Sequence, residues 1–376
     1  MRTGIRCVLV VTVGARRLDT ARTYDQRMSS QQKRSGHWDW WKGVAIVAVI
    51  AIHAVGTTAT SDGPFAQEFA VAFRPFINFA VALFFCLAGY FAAKSWRGDA
   101  VSYWRSRGWR ILPPYIAWTA LAVLATKRSH LSSPSELVAD FTLGLGIGIG
   151  YYVIVLLQYI ALVPLLARLR GQRQNIAIML LATAIGLAIT YTIQTQFPDS
   201  RWARFPFSSI TFIVWAPFFH LGFWASQNPD AIKARSDGLW LWLAGLAALA
   251  AVAEGFYWES QGLSIFAQSQ IRVTSFMVSI FVALHVMASR GTVRTGKSAV
   301  ALEWLGRISF MVYLSHMIFL PKITATIKSL APDIFSIRPV AVVLATALTL
   351  AVCVAVAMFL RHLTRPVVHR DLLGAG

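Results

Sequence analysis

The feature that most constrains this chain is a recurrence of apolar runs from residue 38 almost to the C-terminus, most of them long enough to cross a bilayer. A spanning helix needs about 20 mostly apolar residues, because it must satisfy its own backbone polar groups where no water is present. Ten runs are read: 38–58, 73–94, 109–126, 151–168, 174–193, 208–227, 238–257, 271–289, 304–322 and 338–361. With 56% hydrophobic and 14% charged residues, the chain is too apolar for a soluble domain. The expected fold class is therefore all-α, a polytopic integral membrane protein of about ten transmembrane helices.

The linkers carry the topology. Lys and Arg number eight in residues 1–36, then five, three, two, three and three in 94–110, 168–173, 226–237, 290–303 and the tail from 361. The intervening linkers 59–72, 127–150, 194–207, 258–270 and 322–338 hold none, two, two, none and three. Basic loops stay on the cytoplasmic side, so both termini are expected there, in a bacterial inner (plasma) membrane. A net charge of +19 spread over such short segments reads as topology signal and contact with anionic lipid, not as a nucleic-acid surface. Residues 1–36 read as a disordered basic extension, with Met28 as an alternative start. Residues 37–361 read as the membrane domain and 362–376 as a cytoplasmic tail. Cys7, Cys86 and Cys353 show no ligand or disulfide spacing, so no metal and no bound cofactor is expected. In FTLGLGIGIG, residues 141–150, glycine at every second position makes a poor helix. A short re-entrant or buried segment, covered by protein, is expected there.

Chemistry is most visible in the first run, HWDWWKGVAIVAVIAIHAVGTT from His37. As an α-helix it puts Lys42 and His53, eleven residues apart, on one face at roughly 16 Å, and Asp39 one turn before Lys42 at pairing distance. An imidazole in a membrane helix faces protein or a wet cavity. A histidine that merely bonds between helices is the simpler reading. In YWRSRGWRILPPYIAW, residues 103–118, Arg105, Arg107 and Arg110 approach the third span, and Pro113-Pro114 are expected to break or kink its start. The cluster is either a positive-inside anchor with interfacial tryptophans or a set of guanidinium forks for phosphate oxygens. Asn78, Gln158, His220, Glu254, Arg272, His285 and His316 are the other intramembrane polar residues. Of these His220 and His316, in otherwise apolar helices, are the better candidates for a functional pocket. No serine elbow, HExxH motif or glycosidase carboxylate pair is present. A histidine is then the one group placed by pattern to move protons near neutral pH.

With these residues in place, the chain resembles the acyltransferase 3 family of integral membrane O-acyltransferases. Asp39, Lys42-Gly43 and His53 match its first-helix pattern of acid, base-Gly, then His eleven residues after the base. Lys at position 42, where many members have Arg, is similar to the subset of sugar O-acetylases related to fucose 4-O-acetylase. ALFFCLAGYF, 82–91, resembles the family's PLFFxxSGY, with Ala82 and Ala88 in place of Pro and Ser. RSRGWRILPPY, 105–115, resembles its Arg-rich approach to a Pro-x-Tyr helix. GRISFMVYLSH, 306–316, resembles the late helix ending Tyr-Leu-x-His. The resemblance implies transfer of an acyl group, commonly acetyl from acetyl-CoA as donor substrate, to a hydroxyl of a sugar, glycan or similar acceptor. It implies donor phosphates near Lys42 and the arginines, His53 as general base, Asp39 balancing Lys42, and His316, Tyr115 and His220 as pocket residues. Two other classes remain open at this stage. One is a proton-coupled transporter of a polar metabolite whose histidines and Glu254 form a relay. The other is an assembly subunit whose polar residues only hold helices together.

Overall fold

The computed structural model describes residues 36–59, 64–169, 171–232, 237–363 and 373–374. The basic extension, its alternative start at Met28 and most of the tail lie outside the described residues. Among the described residues there are helices and turns but no strand. The helices are α1 (Gly36–Thr57), α2 (Pro64–Phe73), α3 (Phe79–Ser95), α4 (Ala100–Thr126), α5 (Pro134–Thr142), α6 (Tyr151–Leu166), α7 (Gln172–Gln196) and α8 (Phe212–Gln227). They continue as α9 (Pro229–Ile232), α10 (Asp237–Ser260), α11 (Ser264–Ala267), α12 (Val273–Ala288), α13 (Lys297–Arg307), α14 (Ser309–Leu330) and α15 (Arg338–Leu363). A 3-10 turn, Arg74–Phe76, joins α2 to α3.

Among the described residues six segments are long and apolar enough to cross a membrane: α1, residues 68–95 ending in α3, α7, α10 from Gly238, α14 and α15. α6 and α12 are apolar but 16 residues long, which is about 24 Å of helix. With α4 and α8 these account, in order, for the ten expected runs. The protein is an all-α polytopic membrane protein.

Burial separates an inner set from a periphery. The apolar windows of α1, residues 68–95 and α14 are 56%, 61% and 56% buried inside the protein, against 17% for α7 and 28% for α10. Lipid takes the place of protein around the outer helices, so exposed leucines such as Leu180 and Leu181 on α7 are where a bilayer puts them. Two pairs of glycines set the inner geometry. A Cβ on Gly89 of α3 would lie 1.9 Å from the Phe219 carbonyl oxygen of α8, and one on Gly222 would lie 1.8 Å from that of Cys86. The two helices therefore touch backbone to backbone. α1 and the α13–α14 corner do the same: a Cβ on Gly43 would meet the Leu302 carbonyl at 2.1 Å, and one on Gly306 the Asp39 carbonyl at 1.7 Å.

Two local expectations are settled differently. Of the expected segment 141–150, Phe141 and Thr142 end α5, while residues 143–150 are non-helical and covered. Gly144 and Gly148 take φ +74, Ile147 and Ile149 are buried, and the Ile149 carbonyl accepts the Tyr313 hydroxyl of α14. Pro113-Pro114, by contrast, do not break the start of the third span. α4 runs unbroken from Ala100 to Thr126, nine residues earlier than the apolar run suggests. Asp99 caps it, its carboxylate accepting from the Val101 and Ser102 amides at 3.1 and 3.3 Å. That cap offsets part of the cost of the two missing proline donors.

Candidate active site

α1 is anchored before its chemistry begins. Arg294 donates to His37 Nδ1 at 3.2 Å and lies 4.0 Å over the Trp40 ring, while His37 Nε2 donates to the Val286 carbonyl of α12 at 3.0 Å. One turn on, Lys42 Nζ and Asp39 Oδ1 form a 2.6 Å ion pair at the i,i+3 spacing. The close approach at Gly43 and Gly306 then brings Arg307, the last residue of α13, beside this pair.

Lys42 and Arg307 line the mouth of a cavity of about 490 Å³, within the range of small-ligand sites. Arg107 and Arg110 of α4 line it too, so four cations face one space. Arg107 is held by the Phe91 carbonyl at 3.1 Å, whereas no carboxylate pairs with Arg107, Arg110 or Arg307 among the described residues. Deeper in, the walls turn aromatic and apolar, with Phe84 and Leu87 of α3 and Leu156 of α6. The inner end is formed by Tyr152 and Tyr313, whose rings are 5.2 Å apart. Charged residues and an aromatic, apolar wall thus line one cavity.

Behind Tyr313 stand the histidines. His316 is the next turn of α14, with ring centroids 6.0 Å apart, and His53 of α1 lies 5.4 Å from His316. His316 is fully buried. Its Nδ1 approaches the Val312 and Tyr313 carbonyls at 3.1 and 2.8 Å. Carbonyl oxygens only accept, so the proton sits on Nδ1, and Nε2 is left as a buried lone pair without a partner. His53 is half-buried, and its imidazole makes no hydrogen bond to the described protein. Two imidazoles with unused basic nitrogen, beside a closed aromatic wall, form a proton-handling end.

The other candidates are placed elsewhere. Arg105 is exposed on the opposite side of α4, in an outer groove with Trp109, Leu112 and Ile116, because residues 105 and 107 do not share a helix face. Tyr115 donates its hydroxyl to the Phe141 carbonyl at 2.7 Å and ties the end of α5 to α4. His220 bonds Asn175 of α7 at 2.7 Å, and Gln158 ties α6 to the start of α8 through Ile210 and Phe212. His285 packs edge-on against Trp41 at 5.7 Å. Glu254 accepts from Tyr191, from Trp258 at 3.2 Å and from both the amide and hydroxyl of Thr274, with Arg272 at 3.9 Å. A carboxylate so fully engaged is an interhelical knot, a poor relay for a transporter. Arg307 is the residue the sequence reading passed over. Its signal was present in Gly306-Arg307 just before the Tyr-Leu-x-His helix.

A family model described as an acyltransferase domain matches residues 36–358. No curated protein and no solved structure gives a significant match to the chain.

Proposed function

The chain belongs to the acyltransferase 3 family and is a membrane acyltransferase, and on that premise we propose that it moves an acetyl group from acetyl-CoA to a hydroxyl of a sugar, glycan or similar acceptor. The observation that carries this reading is a cavity lined by four cations and aromatic walls, with two imidazoles standing behind its Tyr313 wall and outside its lining. Phosphates of the donor bind Lys42, Arg107, Arg110 and Arg307, where planar guanidinium forks suit oxyanions. The pantetheine arm follows the apolar wall, and the thioester rests at Tyr152 and Tyr313. The acceptor hydroxyl approaches from the His53 end. His53 takes its proton as a carbon–oxygen bond forms at the carbonyl, the carbon–sulfur bond breaks, and coenzyme A leaves as the thiolate. His316, with Nδ1 fixed as donor, keeps a basic nitrogen beside His53. Asp39 holds Lys42 in place across one turn.

The side of the membrane follows from the charge of the linkers: the Lys42 end faces the cytoplasm of a bacterial cell and its acyl-CoA, and the His53 end faces outward. The test is purified full-length protein with acetyl-CoA labelled on the acetyl group. Saturable acetyl-CoA binding that weakens in Arg107→Gln, together with labelled product from a hydroxyl acceptor extract, supports the reading. Absence of acetyl-CoA binding in the wild type contradicts it.

A further inference from the structure

A second cation cluster lies at the His53 end, away from the cation mouth. Arg74, in the 3-10 turn between α2 and α3, is within electrostatic range of His53. Its Nη1 donates to Gln268 Oε1 at 3.1 Å, and its buried Nε has no partner. Asn78, buried one turn further on, donates to the Gln268 carbonyl at 3.4 Å. Gln270 donates to the Tyr151 hydroxyl at 3.4 Å, and its own buried Oε1 is unused. Arg272 and Arg338 add charge within range of Arg74. Arg338 is only 8% exposed, yet its Nε and Nη1 are also without partners.

Buried charges are normally paired. Among the three arginines, only Arg272 has a carboxylate, Glu254, among the described residues. Arg272 and Arg338 also tie helices together, donating to the Ala251 and Val55 carbonyls at 3.0 and 2.8 Å. Arg74 differs from both. Among the described residues its single partner is the side chain of Gln268, a half-buried amide on a short irregular segment, so its remaining donors are uncommitted there. An interhelical clamp would be built on backbone carbonyls. A guanidinium held by one amide, within electrostatic range of His53, suits an incoming oxyanion.

We propose that Arg74, positioned by Gln268 and supported by Arg338, is an anion subsite for the acceptor, so that the acceptor is an acidic sugar carrying a carboxylate or a phosphate ester. This rests on the acyl-transfer reading above. It adds that the acceptor's charge is read at the His53 end, independently of the donor cations. Holding the anion at Arg74 places a neighbouring hydroxyl at His53.

The experiment is equilibrium binding to the full-length protein in nanodiscs, with methyl glucoside, glucuronate and glucose 6-phosphate as probes and acetyl-CoA titrated separately. At least one anionic sugar should bind tenfold or more tighter than methyl glucoside; which one does so distinguishes carboxylate from phosphate. The preference should survive Arg107→Gln, disappear in Arg74→Gln and return in part in Arg74→Lys, with acetyl-CoA binding of the Arg74 variants unchanged. Equal binding of all three sugars, no saturable binding of any, or a preference lost in Arg107→Gln but kept in Arg74→Gln overturns the proposal. Should Arg74→Gln not fold, Gln268→Leu carries the test, and an unchanged preference there overturns it equally. A wild type that binds acetyl-CoA but shows no anion preference sinks this subsite alone. A wild type that binds no acetyl-CoA sinks the acyl-transfer reading itself.

Discussion

The two ends of the site are built on opposite principles. At the Lys42 end, Arg110 and Arg307 are exposed, Arg107 is half-buried, and of the four only Lys42 has a carboxylate partner among the described residues. At the His53 end, His316 is fully enclosed and its tautomer is set by two carbonyls at fixed distance. On the proposed reading the mouth acts by summed charge on flexible stems, with Lys42 the one member fixed by a carboxylate. The inner end acts by the position of an imidazole nitrogen. Substitutions should therefore behave differently at the two ends, in size and in kind.

The largest effect is expected at the inner end. His53→Ala should lower turnover by about 10² to 10⁴, the usual contribution of a general base, while acetyl-CoA affinity stays near wild type. A small apolar replacement leaves no charge behind, so yield and monodispersity should be unchanged. Near-normal turnover in a folded variant would remove His53 from the mechanism. Next comes the mouth. Arg107→Gln, Arg110→Gln and Arg307→Gln should each raise the donor KM about tenfold or more, since a hydrogen bond to a charged group is worth about 1.5–3 kcal/mol. Lys42→Arg should keep much of the activity and Lys42→Ala should lose it. Equal donor KM values across all the mouth variants would reduce these residues to a topology anchor.

A smaller, structural effect separates position from charge. Gly306→Ala puts a Cβ where the Asp39 carbonyl lies 1.7 Å away, so the α13–α14 corner must retreat from α1. Overpacking of this kind costs about 1–3 kcal/mol. Thermal unfolding should shift down, and the donor KM should rise because Arg307 moves with the corner. A variant with reduced stability but an unaltered donor KM would show that Arg307 is not held to its task by Gly306. The smallest effect belongs to Arg105→Gln. With that side chain on the outer face of α4, donor KM should change less than about twofold, as for surface substitutions away from a site.

Much of this could be read from the residues alone. Long apolar runs give the ten apolar helical segments in order, because a bilayer leaves the backbone few alternatives. The i,i+3 spacing of Asp39 and Lys42 gives their ion pair, and alternate glycines give the covered loop at 143–150. What could not be read was decided across the chain. Pro113-Pro114 concealed a helix whose start depends on Asp99, and with it the face that separates Arg107 and Arg110 from Arg105. Arg307 reaches the mouth through the contacts of Gly43 and Gly306, over two hundred residues apart in sequence. Arg74 sat at the edge of an apolar run, and its setting is supplied by Gln268 from a distant loop. His316 stood out in the sequence beside His220 as a pocket candidate. Its pairing with His53 is a property of how α1 and α14 pack.

The division of labour between the two ends is tested most directly by one crossed measurement on two variants. Acetyl-CoA dissociation constants and single-turnover transfer rates are determined for His53→Ala and Arg107→Gln beside the wild type. The account predicts that His53→Ala binds acetyl-CoA normally and transfers at least a hundredfold more slowly. It predicts that Arg107→Gln binds about tenfold more weakly yet transfers at close to the wild-type rate once saturated. Weakened donor binding in His53→Ala with a normal saturated rate, or a slowed saturated rate in Arg107→Gln with normal binding, would contradict it.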